Sequence, residues 1–292
     1  MDELINKSIV IFAHARRQLL DDCIKSTLNA KGSENWKKVI VWQKGDNEVY
    51  KIIEKYESYF DLIVVLTPQQ PTPLGKINQS RLIGTTICFE TLNSDYVLGI
   101  EDDTLISFDS LIFIDEMYMR YKSNKFFRGI NLGSLESKKT SKLCDYSLLR
   151  YGLHGQAGVI TRNTWAKLNK KDLLRDICYE GWDARFEIVT KNGFMVTPNL
   201  SRALDLGWQD PTHAPSNQDN SHYREMKLSW VGLDQFELPE YVHNQIIHSW
   251  RADAIKFKKY QSVLFLIRKF KTVKKTLKLV RNLGLPLPKF RN

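Results

Sequence analysis

Four short apolar runs, separated by stretches of helical character, restrict this chain more than any other feature. Residues 8–13, 38–43, 62–66 and 96–100 are each rich in Val and Ile, and none is long enough to be a helix. Residues 18–29, 48–59 and 77–92 between them read as helices, the first with Leu19, Leu20, Ile24 and Leu28 along one face. Residues 67–75 hold three prolines and read as an irregular loop. Strands apolar on both faces, alternating with helices, predict an α/β fold with a mostly parallel, Rossmann-like sheet flanked by helices. In such open sheets a ligand sits beyond the carboxyl ends of the strands. His14, Arg16, Gln43, Asp46 and residues 101–103 all fall at such ends.

The fourth run delivers three carboxylates in succession, Glu101, Asp102 and Asp103. Burying even one unpaired carboxylate is costly, so three at a strand end predict a cation to hold. Carboxylate oxygens suit a hard divalent ion, Mn2+ or Mg2+, which would bridge to the phosphates of a nucleotide-linked substrate.

Beyond Asp103 the alternation weakens. Residues 108–121 read as a helix, 126–130 as a strand, and Gly152, Gly155 and Gly158 bracket a loop. Residues 163–168 and 178–192 read as helices and 196–198 as an extended piece. Residues 206–223 are polar and aperiodic, a long loop that reads either as a lid of the kind compact enzymes use or as a disordered surface loop.

The net charge of +10 is unevenly spread. From residue 251 onward thirteen Lys and Arg face a single acid, Asp253, a net +12 that leaves −2 for the first 250 residues. In that tail Val263, Leu266, Ile267, Phe270, Val273, Leu277 and Val280 recur at steps of three and four among lysines. This predicts a basic amphipathic helix suited to an anionic membrane surface, or else a terminal helix docked on the domain. A body without basic excess and without a nucleic-acid-binding motif argues against nucleic acid as a partner. Residues 1–7 lack the pattern of a signal peptide, and no apolar segment approaches a membrane span, so the expected location is cytoplasmic, with the tail on the inner face of the membrane. Cys23, Cys88, Cys144 and Cys178 form no metal or disulfide pattern and read as free thiols.

Taken in order across residues 8–215, these motifs resemble the nucleotide-sugar-dependent glycosyltransferases of the GT-A fold, among them the N-acetylglucosaminyltransferase I family (glycosyltransferase family 13). In that family a Glu-Asp-Asp motif follows an apolar strand, as Glu101-Asp102-Asp103 does here. Trp182-Asp183 resembles its Trp-Asp pair, and Ser201-Arg202 and Thr212-His213 resemble its Ser-Arg pair and the Ser-His of its flexible loop. Arg16, Gln43 and Lys76-Ile77 match the ends of its first two strands and the start of the helix before its metal strand. The family's N-terminal membrane anchor has no counterpart in this sequence, and the basic tail has none in the family.

The resemblance implies a metal-dependent inverting glycosyltransferase using a nucleoside-diphosphate sugar, with UDP and N-acetylglucosamine the expected donor groups and a glycan, glycolipid or lipid-linked acceptor. It makes Asp103 the metal ligand and sets Glu101 and Asp102 against sugar or ribose hydroxyls. Asp183 becomes the base that takes the acceptor's proton, with Glu180 and Glu187 as the competing acids. Arg16, Gln43, Asp46 and Lys76 would hold the nucleotide, and Arg202 and His213 would close on its diphosphate. The expected division is a GT-A domain over 1–250 (nucleotide-sugar half 1–104, acceptor half 105–250) and an extension over 251–292. A sugar-phosphate nucleotidyltransferase is the other enzyme reading, disfavoured because the loop after the first strand, His14 to Arg17, has no glycine. A non-catalytic, membrane-associated protein retaining the same fold is the third.

Overall fold

The computed structural model describes residues 5–133, 145–149, 153, 157–168 and 193–207. The chain divides into two units, Met1–Lys256 and Phe257–Asn292, and every described residue lies in the first.

The first half follows the alternation. In order it runs β1 (Lys7–Ala13), α1 (Arg17–Asn29), β2 (Lys37–Gln43), α2 (Asn47–Lys55), β3 (Leu62–Leu66), α3 (Pro73–Thr86) and β4 (Tyr96–Glu101). β1 lies between β2 and β4, parallel to both, with Val10 beside Val39 and Gly99, and β3 pairs outside β2. Successive residues of β1 serve opposite cores, as the two-residue period of a strand requires. Ile9, Ile11 and Ala13 pack with Leu20, Ile24, Val49 and Ile53 of α1 and α2. Val10 packs with Val39, Val41, Phe89 and Val97 on the other face.

Helix α3 starts earlier than the proline count suggests. Thr72 caps it by accepting a hydrogen bond from the Gly75 N–H at 3.0 Å, and Pro73 occupies its first turn, where a missing N–H costs nothing. It sits so close to the sheet that a Cβ on Gly84 would come within 2.8 Å of the Val10 and Val41 methyl groups. The helix ends in a π-helical turn, Ile87–Thr91.

The second half adds β5 (Thr104–Ile106), α4 (Ser110–Tyr121), β6 (Phe127–Asn131), β7 (Tyr146–Leu149), β8 (Ala157–Thr161), α5 (Arg162–Ala166), β9 (Phe194–Pro198) and β10 (Ala203–Asp205). The large sheet has the order β3-β2-β1-β4-β8-β6-β9-β7, and β5 with β10 forms a small antiparallel ribbon. β8 runs antiparallel to both β4 and β6, and β7 antiparallel to β9, so the sheet is parallel through β4 and mixed beyond it. The fold class is α/β as expected: four of the seven pairings in the large sheet are parallel, and the antiparallel ones all lie beyond β4.

Gly158, expected in a loop, lies in β8 directly opposite Gly99 of β4. The Phe12 ring fills the space that Gly99 leaves, 3.1 Å from where a Cβ would stand. Cys23 and Cys88 are buried free thiols. No helix of the described residues is long and apolar enough to cross a membrane.

Candidate active site

The chain builds outward from β1 through β2 to β3 and then returns to place β4 on the other side of β1. That reversal opens a crevice beyond the carboxyl ends of β1 and β4, the place where open α/β sheets bind ligands. The loop His14–Arg16 meets Asp102 and Asp103 at this place.

The three carboxylates each have their own partners. The His14 backbone N–H donates to Asp102 Oδ2 at 2.8 Å. The Arg16 guanidinium pairs with Asp103 and stands 3.8 Å from Asp102 Oδ1. Arg81, reaching from α3, pairs with Glu101. Asp102 and Asp103 are only 5% and 3% exposed, which explains why such partners are present. Burial pushes the Asp102 carboxyl above the ordinary aspartate range, while the His14 N–H and the Arg16 charge pull against it.

A strap from the far end of the described chain closes the cluster from behind. β10 pairs with β5 so that Asp205 lies opposite Thr104. The Leu206 N–H donates to the Asp103 carbonyl at 2.8 Å, and the Gly207 N–H donates to Asp205 Oδ1 at 2.7 Å. A Cβ on Gly207 would stand 2.2 Å from Asp103 Oδ2 and 3.1 Å from Arg16 Nη1, so the strap lies directly on the ion pair. Neither Asp205 nor Gly207 stood out in the sequence. The available signal was an Asp-x-Gly turn after a short apolar alternation.

Arg202, expected to contact the donor, pairs with a buried acid of the frame. Its Nε and Nη2 both lie 3.0 Å from Asp109 Oδ2, and its guanidinium carbon stands 4.6 Å from the centre of the Phe113 ring. Asp109 is 1% exposed and needs a counter-charge, which Arg202 supplies. The Arg202 carbonyl accepts from the Ser107 N–H at 3.0 Å and the Ser110 hydroxyl at 2.9 Å. Arg202 thereby clamps the start of β10 to the start of α4.

Gln43, at the end of β2, donates through Nε2 to the Lys76 carbonyl and to Ser80 Oγ, joining β2 to α3. Its buried Oε1 has no hydrogen-bond partner among the described residues. Asp46 caps α2 by accepting the Glu48 N–H at 2.9 Å and lies 3.5 Å from Arg17. The structure thus brings together Arg16, Asp102 and Asp103, and separately Gln43 with the Lys76 backbone. Trp182, Asp183, Thr212 and His213 lie outside the described residues.

No group of three His, Cys, Asp or Glu side chains among the described residues is arranged to hold a metal ion by itself. The donor chemistry nonetheless fits a hard divalent ion. Asp103 is a buried carboxylate already facing a cation, the Arg16 guanidinium, and such ions complete their shells with phosphate oxygens and water.

No family model and no curated protein matches the chain in sequence. Among solved structures it is similar to S. aureus TarS 1–349 in complex with UDP-GlcNAc (TM-score 0.48, 13% identity, covering 83% of this chain and 70% of that one). It is also similar to the mannosyltransferase PcManGT from Pyrobaculum calidifontis in complex with GDP-Man and Mn2+ (TM-score 0.45, 9% identity, 69% of this chain and 59% of that one). A third is a cytidylyltransferase from Leptospira borgpetersenii serovar Hardjo-bovis (TM-score 0.36, 14% identity, 60% of this chain and 69% of that one). At these scores and identities the likenesses do not assign an activity.

Proposed function

We propose that this chain is a metal-dependent, inverting glycosyltransferase of the GT-A type, acting on a nucleoside-diphosphate sugar. The observation that carries the reading is the crevice between β1 and β4, where an arginine and two buried carboxylates converge at the carboxyl ends of parallel strands. A diphosphate needs cations, and a sugar needs hydrogen-bonding oxygens; this crevice offers both. UDP as nucleotide, N-acetylglucosamine as sugar and the likeness to the N-acetylglucosaminyltransferase I family belong to the same proposal and rest on the sequence motifs.

In this reading Asp103 holds a divalent ion, Mn2+ or Mg2+, whose charge would stabilise the departing diphosphate. Asp102, fixed by the His14 N–H, and Glu101, fixed by Arg81, orient the donor through its hydroxyls. Arg16 binds phosphate oxygens, for which its planar fork of donors is suited. Gln43 and Lys76 line the nucleotide end, with Asp46 at the mouth. Asp183 takes the proton of the acceptor hydroxyl as that oxygen attacks the anomeric carbon, and the bond to the diphosphate breaks. His213 and its loop close over the donor and exclude water. The acceptor is a glycan, glycolipid or lipid-linked hydroxyl, and residues 251–292 hold the enzyme to an anionic membrane on its cytoplasmic side.

Donor hydrolysis tests the chemistry without a known acceptor. Slow release of UDP from a UDP-sugar should require Mn2+ or Mg2+ and disappear in Asp103→Ala while that variant stays folded. Metal-independent release at the same rate in both proteins would contradict the assignment.

A further inference from the structure

We propose that Arg16 is a resident counter-cation for Asp102 and Asp103, and that a divalent ion reaches Asp103 by displacing the Arg16 guanidinium. This rests on the reading of Asp103 as a metal ligand.

The guanidinium pairs with Asp103 and stands 3.8 Å from Asp102 Oδ1, so it faces both carboxylates at once. Glu101 does not depend on it, because Arg81 pairs with that side chain. Asp102 keeps the His14 N–H whether or not Arg16 is present. Among the described residues, the side chain of Asp103 has the Thr104 hydroxyl at 3.4 Å and otherwise faces Arg16. The Gly207 backbone is pressed against the same oxygen, where a Cβ would stand 2.2 Å from Asp103 Oδ2 and 3.1 Å from Arg16 Nη1. An ion that binds Asp103 Oδ2 must therefore take the place that Arg16 fills.

Arg16 is able to leave. It precedes α1 in the loop after β1, its side chain is 25% exposed, and it makes no side-chain cap to the helix. Two cations that use one carboxylate oxygen exclude each other, so each lowers the apparent affinity of the other. A diphosphate in the crevice offers the guanidinium a bidentate partner of its own. Nucleotide binding would draw Arg16 off Asp103 and open that carboxylate to the ion. The ion alone would then bind weakly, and nucleotide and ion would promote each other's binding.

The test is Mn2+ binding to the purified full chain without nucleotide, read from the free-Mn2+ EPR signal. Arg16→Met should bind Mn2+ about tenfold more tightly than the wild type, a coupling of ordinary size. Arg16→Lys should fall between them, since an ammonium is a point donor in place of a planar fork, and Asp103→Asn should not bind. Equal or weaker binding by Arg16→Met, with UDP-supported Mn2+ binding intact in the wild type, overturns the proposal and leaves the metal reading standing. Absence of Mn2+ binding by the wild type even with UDP overturns both. Should Arg16→Met not fold, Arg16→Lys against wild type decides: tighter binding supports displacement and equal binding overturns it.

Discussion

At the scale of single residues, the site depends on a glycine as much as on its acids. Gly207→Ala places a methyl group 2.2 Å from Asp103 Oδ2, an approach that real Cβ atoms do not make. Either the strap or the carboxylate must shift. Overpacking of this kind costs about 1–3 kcal/mol, and here the displaced group is the proposed ion ligand. The expected outcome is a modest fall in melting temperature with a loss of at least about tenfold in donor affinity, since each tenfold corresponds to about 1.4 kcal/mol. Binding and thermal melts on the same preparation separate the two effects. Glu101, Asp102 and Asp103 were legible in the sequence because an apolar strand announced their place. Asp205 and Gly207 were not, because they reach Asp103 through a three-residue strand about a hundred positions further along the chain. Arg202 was legible as a conspicuous cation but not as to its partner: Asp109 is buried by tertiary packing that no local pattern encodes.

At the scale of elements, two polar clamps hold the frame that carries the site. Arg202 and Asp109 join β10 to α4, both nearly fully buried. Arg202→Met leaves Asp109 buried without that charge partner, and the expected destabilisation is about 3–5 kcal/mol by urea unfolding. Replacing both, Arg202→Met with Asp109→Leu, should recover much of it, because the isolated charge rather than the lost pair is the larger cost.

The second clamp fastens α1 to α2. Burial of Asp21 opposes its ionisation, but hydrogen bonds from Lys25, Lys55 and Tyr56 outweigh it and hold the carboxyl at about 2. An aspartate in the unfolded chain titrates near ~3.9, so this clamp contributes full stability above that pH and loses it as pH falls toward about 2. Asp21→Asn should flatten the acid limb of stability against pH, measured by urea midpoints at successive pH values. The strands of the first half were readable because each is a continuous apolar run. β7 and β8 escaped because one is four residues long and the other contains Gly158, a breaker in isolation that is tolerated here opposite Gly99.

At the scale of the whole molecule, charge and fold point to separate tasks. The first 250 residues carry a net −2 and the remainder +12. If the tail binds membrane, the full chain should cosediment with anionic vesicles and a chain ending at residue 250 should not, with raised salt weakening the association. Retention of the shortened chain on the vesicles would place membrane binding elsewhere. The half of the fold that builds the crevice was written in local sequence pattern; the second half was not, since its strands pair across long separations in mixed directions.

The crevice between β1 and β4 is proposed to receive a nucleoside-diphosphate sugar together with a divalent ion. A thermal-shift panel of nucleotide sugars, each with and without Mn2+, tests it most directly. The expected result is a clear rise in melting temperature for one base and sugar combination, dependent on Mn2+ and lost in Asp103→Ala. A panel in which no nucleotide sugar stabilises the protein, with or without Mn2+, would contradict it.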